Sequence, residues 1–364
     1  MAQETRSKLT TWFPQAQHPI IISAPMLGTS NGTLAAEVSK AGGIGIIPGG
    51  FNFLPDSHQL PALAKELTTA RTLLNLPPPS PESPTSTLPL SVGVGFILCH
   101  ASFAPHFLTT ALPLLRTHRP TAIWLFAPLP ADIASGAVRR VVAALRAEGF
   151  VVFFQVGTVA AARQAVEDGA DVLVVQGADA GGHQFVGGAG VVSLVPEVGD
   201  LVAGEFGGRG VGIVAAGGVV DGRGVAAALA LGAEAVVMGT RFVAAEEAWT
   251  PEFRKKLILE TTDGGPSTVK TPVLDDIQST AIWPDVYDGR GLIGKSWQDH
   301  VAGMPLEENI RLFKEADGAG DTSRKITWVG TGVGLVREIR PAGEIVKEAR
   351  ENALRRIQRL QAAI

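Results

Sequence analysis

Eight short apolar runs recur along the chain, seven of them followed by enough residues for a helix before the next. This rhythm limits the possible folds more than any other feature of the sequence. The runs are Ile20–Ser23, Ile44–Ile47, Ser91–Phe96, Ala122–Leu125, Val151–Gln155, Val172–Gln176, Gly212–Ala215 and Ala235–Met238. They lack the polar alternation of a strand with one wet face, so each predicts a strand covered on both sides. The junctions agree. Lys40-Ala41-Gly42-Gly43, Ala147-Glu148-Gly149, Glu167-Asp168-Gly169 and Ala230-Leu231-Gly232 each end a helix on glycine just before a strand. Eight such units predict an α/β protein, a (β/α)8 TIM barrel, with an open doubly wound sheet as the rival.

A barrel of this kind takes about 250 residues, and the chain has 364. The expected division is a barrel over residues 1–243, a helical capping segment over 244–324, and a C-terminal return over 325–364. The capping segment loses the strand rhythm and holds Trp249, Trp283, Trp297 and the only tyrosine, Tyr287. The return ends in an amphipathic closing helix from Glu344 to Ile364, with apolar positions at Ile345, Val346, Ala349, Leu354, Ile357 and Leu360. The proline-rich stretch Pro77–Pro84 predicts an exposed loop before the third strand.

Composition narrows the function classes. A hydrophobic content of 46% beside 18% charged residues fits a soluble globular enzyme. The net charge of −4 provides no basic field for nucleic acid. Cys99 is the only cysteine, so neither an intramolecular disulfide nor a CxxC site can form. Met1–Leu9 has no apolar signal core, and no uncharged apolar stretch reaches the ~18–20 residues of a membrane span. The expectation is an intracellular, cytoplasmic protein, monomer or homodimer, acting on a small molecule.

Chemistry concentrates at the predicted strand ends, where barrel active sites form. After the sixth strand, Gln176-Gly177-Ala178-Asp179-Ala180-Gly181-Gly182-His183 reads as a flexible glycine turn presenting one histidine. Glycine lets backbone approach a flat ligand, and histidine moves protons near neutral pH. Among the other six histidines only His100 also follows a strand. No second histidine or carboxylate pair stands at ligand spacing near His183, which disfavours a metal. After the seventh strand, Ala216-Gly217-Gly218 offers bare backbone N–H groups. After the eighth, Met238-Gly239-Thr240 adds a glycine, a hydroxyl and a helix start. Together they form a candidate phosphate cradle. Gln155 places a side-chain amide at the end of an apolar strand, as a ligand for a heterocycle or as a partner within the barrel. Ala24-Pro25-Met26 sets small and rigid residues at the first strand's mouth, and Gly93 and Gly95 leave further room there. Gly330-Thr331-Gly332-Val333-Gly334 resembles a dinucleotide fingerprint but lacks its strand context, so it reads as a loop.

These residues resemble a known family. Ala24-Pro25-Met26, the segment Gln176 to His183, Ala216-Gly217-Gly218 and Met238-Gly239-Thr240-Arg241-Phe242 are similar to the FMN-dependent nitronate monooxygenases, formerly 2-nitropropane dioxygenases. Trp283-Pro284, Tyr287-Asp288-Gly289-Arg290 and the Gly330–Gly334 stretch resemble the fungal-type branch. The resemblance implies FMN held by Ala24, Pro25, Met26, Gln155, Gln176, Gly177, Gly181, Gly182, Ala216, Gly217, Gly218, Met238, Gly239 and Thr240. It implies His183 as catalytic base in the oxidation of nitronates, or of nitroalkanes, by O2 to a carbonyl compound and nitrite. Trp283 and Tyr287 would restrict access. The family often has Asn where this chain has Gly95, implying a looser flavin contact. It often has Gly where this chain has Gln184, implying a changed substrate side. FMN-dependent reductases taking hydride from NAD(P)H to quinones or enoyl thioesters share the barrel and similar motifs, and form the alternative. A non-catalytic flavin- or phosphate-binding barrel is a third.

Overall fold

The computed structural model of the chain describes residues 7–79, 87–280 and 282–363. Each apolar run becomes a strand: β1 (Ile20–Ser23), β2 (Gly45–Gly50), β3 (Leu90–Ile97), β4 (Pro120–Phe126), β5 (Val151–Val156) and β6 (Val172–Gln176). An intervening β7 (Gly182–Phe185) belongs to a second sheet, and β8 (Gly212–Ala216) and β9 (Ala235–Met238) complete the barrel. All eight pair in parallel in the order β1-β9-β8-β6-β5-β4-β3-β2. A bridge between Ile22 and Ile44 closes the ring, with the Ile44 N–H donating to the Ile21 carbonyl at 2.9 Å.

The two-residue period of a strand divides the apolar runs between two cores. Ile20, Ile22, Ile46, Trp124, Phe153, Val174 and Val237 fill the barrel interior, where Phe13 meets Phe153 edge-on at 6.4 Å. Ile21, Ile47, Leu125, Phe154, Leu173 and Val236 face the helices. Gly42, Gly149, Gly169 and Gly232 all take positive φ, between 78° and 106°, at the helix ends the sequence marked.

Two sequence expectations change. His183 does not lie in a flexible turn but in β7, which pairs antiparallel with β11 (Tyr287–Leu292). β11 in turn pairs with β10 (Thr268–Thr271). Residues 244–324 are therefore a mixed segment, with helices that include Val273–Gln278 and Leu306–Gly318 beside two strands. Neither strand carries an apolar pattern. β10 has four residues, and β11 reads Tyr-Asp-Gly-Arg-Gly-Leu. Of Pro77–Pro84, residues 77–79 are irregular, with Pro77 and Pro78 exposed, and 80–84 lie outside the described residues. Among the described residues no helix is long and apolar enough to cross a membrane.

The C-terminal helix Ala342–Ala363 packs between helices Gly222–Ala230 and Gly32–Lys40, taking the place of the barrel's eighth helix. Ile345, Val346 and Ala349 are buried there, whereas Leu354 and Leu360 are 41% and 60% exposed because the helix outruns the barrel wall. Its buried Arg350 donates to the carbonyls of Gln17, Ala41 and Gly42 at 3.2, 3.0 and 2.7 Å, tying the helix to the chain entering β1 and β2. Replacing Arg350 by Ala leaves these acceptors without their charged donor. Denaturant unfolding is expected to show a loss of about 3 kcal/mol; a loss below about 0.5 kcal/mol would mean that the helix is held by its apolar face alone.

Candidate active site

The carboxyl ends of the barrel strands carry three groups of candidate residues. At the first, Gly239 lies against Ala24 and Met26, where an added Cβ would stand 3.6 Å from the Ala24 Cβ and 3.7 Å from the Met26 Sδ. Ala24 donates its N–H to the Met238 carbonyl at 3.1 Å. Pro25 occupies the space above Gly95, for a Cβ there would come 2.5 Å from the proline ring, and Ile46 fills that above Gly93. The room expected at these two glycines is thus taken by the protein itself. An Asn at position 95 would collide with Pro25 in this arrangement.

The second group is the glycine cradle. Ala216 stands opposite Val237 in the ladder, which carries Gly217 and Gly218 alongside Met238 and Gly239. Gly217 and Gly218 have φ of 101° and 74°, a conformation that leaves successive N–H groups free of regular pairing. Among the described residues, the N–H groups of Gly217, Gly218, Gly239 and Thr240 donate to no backbone or side-chain acceptor. Four bare donors at two adjacent strand ends suit a phosphate monoester. Thr240 Oγ1 accepts from the Gly330 N–H at 2.9 Å, and Thr331 Oγ1 donates to Asp179 Oδ1 at 2.9 Å. The Gly330–Gly334 stretch, a loop and short 3-10 turn as expected, therefore backs the cradle. Gly177 is packed against Val191 and Gly190, and Gly181 against the backbone of Val329 and Gly330, whereas nothing within 4 Å would meet a Cβ at Gly182.

The third group is a chain of amides leading to the histidine strand. Trp124 Nε1 donates to Gln155 Oε1 at 3.0 Å, Gln155 Nε2 to Gln176 Oε1 at 2.8 Å, and Gln176 Nε2 to the His183 carbonyl at 3.1 Å. Gln155 and Gln176 are buried, and this relay gives the polar atoms partners that burial demands. Each amide nitrogen keeps a second hydrogen.

His183 is held from three sides. Its Nε2 lies 2.9 Å from both carboxylate oxygens of Asp275, on the helix Val273–Gln278. Trp283 stacks on the imidazole with centroids 3.7 Å apart and planes 11° from parallel. Trp328 stands at 4.9 Å, tilted by 48°, above Gly289, the residue paired with His183 across the sheet. Gly289 is needed there because a Cβ would fall 2.4 Å from the indole. Thr280 Oγ1 donates to Asp275 Oδ1 at 3.0 Å and fixes the carboxylate. An ionised carboxylate only accepts, so neutral His183 carries its proton on Nε2. Nδ1 has no hydrogen-bond partner among the described residues. It is the free basic nitrogen.

The Tyr287–Arg290 motif fastens this arrangement. Tyr287 is buried against Phe185 and Phe126, with centroids 4.8 and 5.3 Å away. Asp288 pairs with Lys270 at 2.7 Å, and Arg290 donates through Nε and Nη2 to the Ala178 carbonyl at 3.3 and 3.2 Å. Gln184, expected on the substrate side, turns inward; it is 2% exposed and donates to the Ala180 carbonyl at 2.7 Å. Asp275 and Trp328 carried no sequence signal. Asp275 lies 92 residues from His183 and in no motif. Among the described residues no group of three or more His, Cys, Asp or Glu could hold a metal ion. His100 bonds to Ser102 Oγ at 2.7 Å.

Fold and site together define a (β/α)8 barrel whose strand ends bring bare backbone N–H groups and a carboxylate-bound histidine to one face. The family profile described as nitronate monooxygenase matches residues 132–351. A nitronate monooxygenase of Neurospora crassa is 55% identical, over 99% of this chain and 96% of its own. Nitronate monooxygenase npaC of Metarhizium robertsii is 36% identical, over 97% of this chain and 96% of its own. The chain belongs to the nitronate monooxygenase family. Among solved structures, FabK from Thermotoga maritima superposes with a TM-score of 0.72 at 25% identity, covering 99% of this chain and 100% of that one. The nitroalkane oxidase from Streptomyces ansochromogenes shares the fold, with a TM-score of 0.72 at 24% identity over 96% of this chain and 99% of that one.

Cys99, which follows β3, is 4% exposed. Burial pushes its thiol up from 9.0 to about 12; its own backbone hydrogen bond opposes this and the nearby Asp275 charge adds to it. Burial likewise raises the Tyr287 phenol. The folded protein thus keeps a proton on Cys99 that the unfolded chain releases above pH 9.0, so this contribution to stability is complete below pH 9.0 and declines up to about pH 12. Urea midpoints are expected to fall across that window. A thiol reagent at pH 8 should label Cys99 only after unfolding; rapid labelling of the native protein would contradict its burial.

Proposed function

We propose that this protein oxidises alkyl nitronates with O2 to a carbonyl compound and nitrite, holding FMN at the carboxyl end of its barrel and using His183 as its base. One observation carries the reading: a strand-end histidine bonded to a buried carboxylate lies against two indoles, with its other ring nitrogen unpaired among the described residues. Membership of the nitronate monooxygenase family supports the reaction.

The donor set suits FMN. Gly217, Gly218, Gly239 and Thr240 would hold its phosphate through their free N–H groups. Ala24, Pro25, Met26, Gly177, Gly181, Gly182, Ala216 and Met238 would line the cofactor with small side chains and backbone. The remaining amide hydrogens of Gln155 and Gln176 would meet the polar edge of the ring. When bound, FMN supplies the electron acceptor and the return of electrons to oxygen.

The protein's own residues handle the proton and the anion. Asp275 keeps the Nε2 proton in place, so Nδ1 takes the proton from the carbon next to nitrogen when the neutral nitroalkane is the substrate. The carboxylate and the Trp283 face both stabilise the positive charge that His183 then gains. A nitronate is already deprotonated and needs no base. Trp283 and Trp328 limit the space beside the ring and exclude water.

His183→Asn is expected to keep the visible flavin spectrum while slowing neutral nitroalkane oxidation by about 10²–10⁴-fold, with nitronate oxidation reduced much less. A wild-type rate on the nitroalkane would remove His183 from the base role. Mixed anaerobically, propyl nitronate should bleach the flavin rapidly and NADH should not. Rapid bleaching by NADH would instead favour the reductase.

A further inference from the structure

Away from the barrel mouth, a cavity of about 440 Å³ lies between the loop after β8, residues 335–338 and the C-terminal helix. Arg223, Arg241, Arg337, Arg355, Arg356 and Arg359 line it together with Asp221, Glu338 and Glu348. Six guanidinium groups face three carboxylates in the lining, and Glu351 from outside it pairs with Arg355 at 3.7 Å, so the cavity keeps a positive excess on a chain whose net charge is −4. The carboxylates do not neutralise the rest. Asp221 closes on Arg223 at 2.5 Å and Glu338 on Arg340 at 2.7 Å. Arg337, Arg356 and Arg359 have no carboxylate partner among the described residues.

The base of the cavity is Arg241, only 8% exposed. It makes one hydrogen bond, from Nη1 to the Glu338 carbonyl at 3.1 Å, leaving its other N–H groups without a partner. Burial lowers its pKa, and Glu348 and Glu338 oppose that only from a distance. None of these unpaired N–H groups is sealed within the protein, so they open onto the cavity, where an anion would find a charged donor already fixed in place. Val220 and Ile345 add a buried apolar wall beside the charges.

We propose that this cavity is a second ligand site, separate from the barrel mouth, for a small molecule that carries a diphosphate group. Guanidinium forks match phosphoryl oxygens in pairs, and a diphosphate brings several such oxygens and the opposite charge to the unpaired Arg337, Arg356 and Arg359. The volume suits a small ligand with an apolar part beyond the phosphates. The site also touches the cofactor cradle from outside. Val220 follows Gly218 by two residues and Arg241 directly follows Thr240, so occupancy would brace the two turns that carry the bare N–H groups.

The test is isothermal titration of the full-length protein, saturated with FMN, using pyrophosphate, ADP and inorganic phosphate. Pyrophosphate and ADP should each bind once per chain, and phosphate at least about tenfold more weakly. The Arg356→Gln/Arg359→Gln protein alters two exposed side chains. It should weaken pyrophosphate at least about tenfold while nitronate turnover and the flavin spectrum stay unchanged. Three results would overturn the site: no heat from any probe, undiminished affinity in the double variant, or phosphate binding as tightly as pyrophosphate. Binding that disappears once FMN is added would place the probe in the cofactor cradle and overturn it equally. Because the titration is repeated without FMN, failure of the flavin reading is distinguished from failure of the site.

Discussion

The antiparallel pairing of β7 with β11 is the contact on which the site depends. It sets Gly289 opposite His183 and leaves room for Trp328 above the glycine. It also brings Asp275 to 2.9 Å from Nε2, although the barrel alone supplies only His183. Without that pairing the histidine would hang on a glycine-rich loop with no fixed tautomer and no fixed plane. Arg290 and the Lys270–Asp288 pair act at the same joint, fastening the inserted segment to the loop after β6.

The two halves of the site draw on different physics. The barrel contributes backbone: strand ends fixed by the parallel ladder, with glycines at positive φ whose N–H groups have no acceptor. Fixed dipoles of this kind favour an anion with little reorganisation. The insertion contributes side chains, one carboxylate and two indoles, around one imidazole. The amide relay from Trp124 through Gln155 and Gln176 joins the halves and ends on the His183 carbonyl.

The barrel was legible because its strands are continuous apolar runs punctuated by glycine, a local signal that tertiary packing reinforces. Gly42 and Gly169 take the positive φ that their places before a strand require. The strand character of β7, β10 and β11 was not legible. Gly-His-Gln-Phe and Tyr-Asp-Gly-Arg-Gly-Leu carry no apolar alternation, and their pairing spans about a hundred residues. Gly95 looked like open space in the sequence, whereas the structure fills it with Pro25 from the loop after β1. Gln184 looked like a substrate-side change, but strand alternation turns it away from His183 and into the protein. Asp275 could not be found at all, because a buried acid becomes a partner only when the fold brings it close.

The proposed base chemistry depends on His183 being held as its Nε2–H tautomer with Nδ1 free. Long-range ¹⁵N–¹H correlation spectroscopy on protein labelled with ¹⁵N-histidine, with His183→Asn for assignment, reads this directly. A protonated Nε2 and an unprotonated Nδ1 are expected in the neutral ring, with loss of that fixed pattern in Asp275→Ala. A proton on Nδ1 of neutral His183 in the wild-type protein would contradict it.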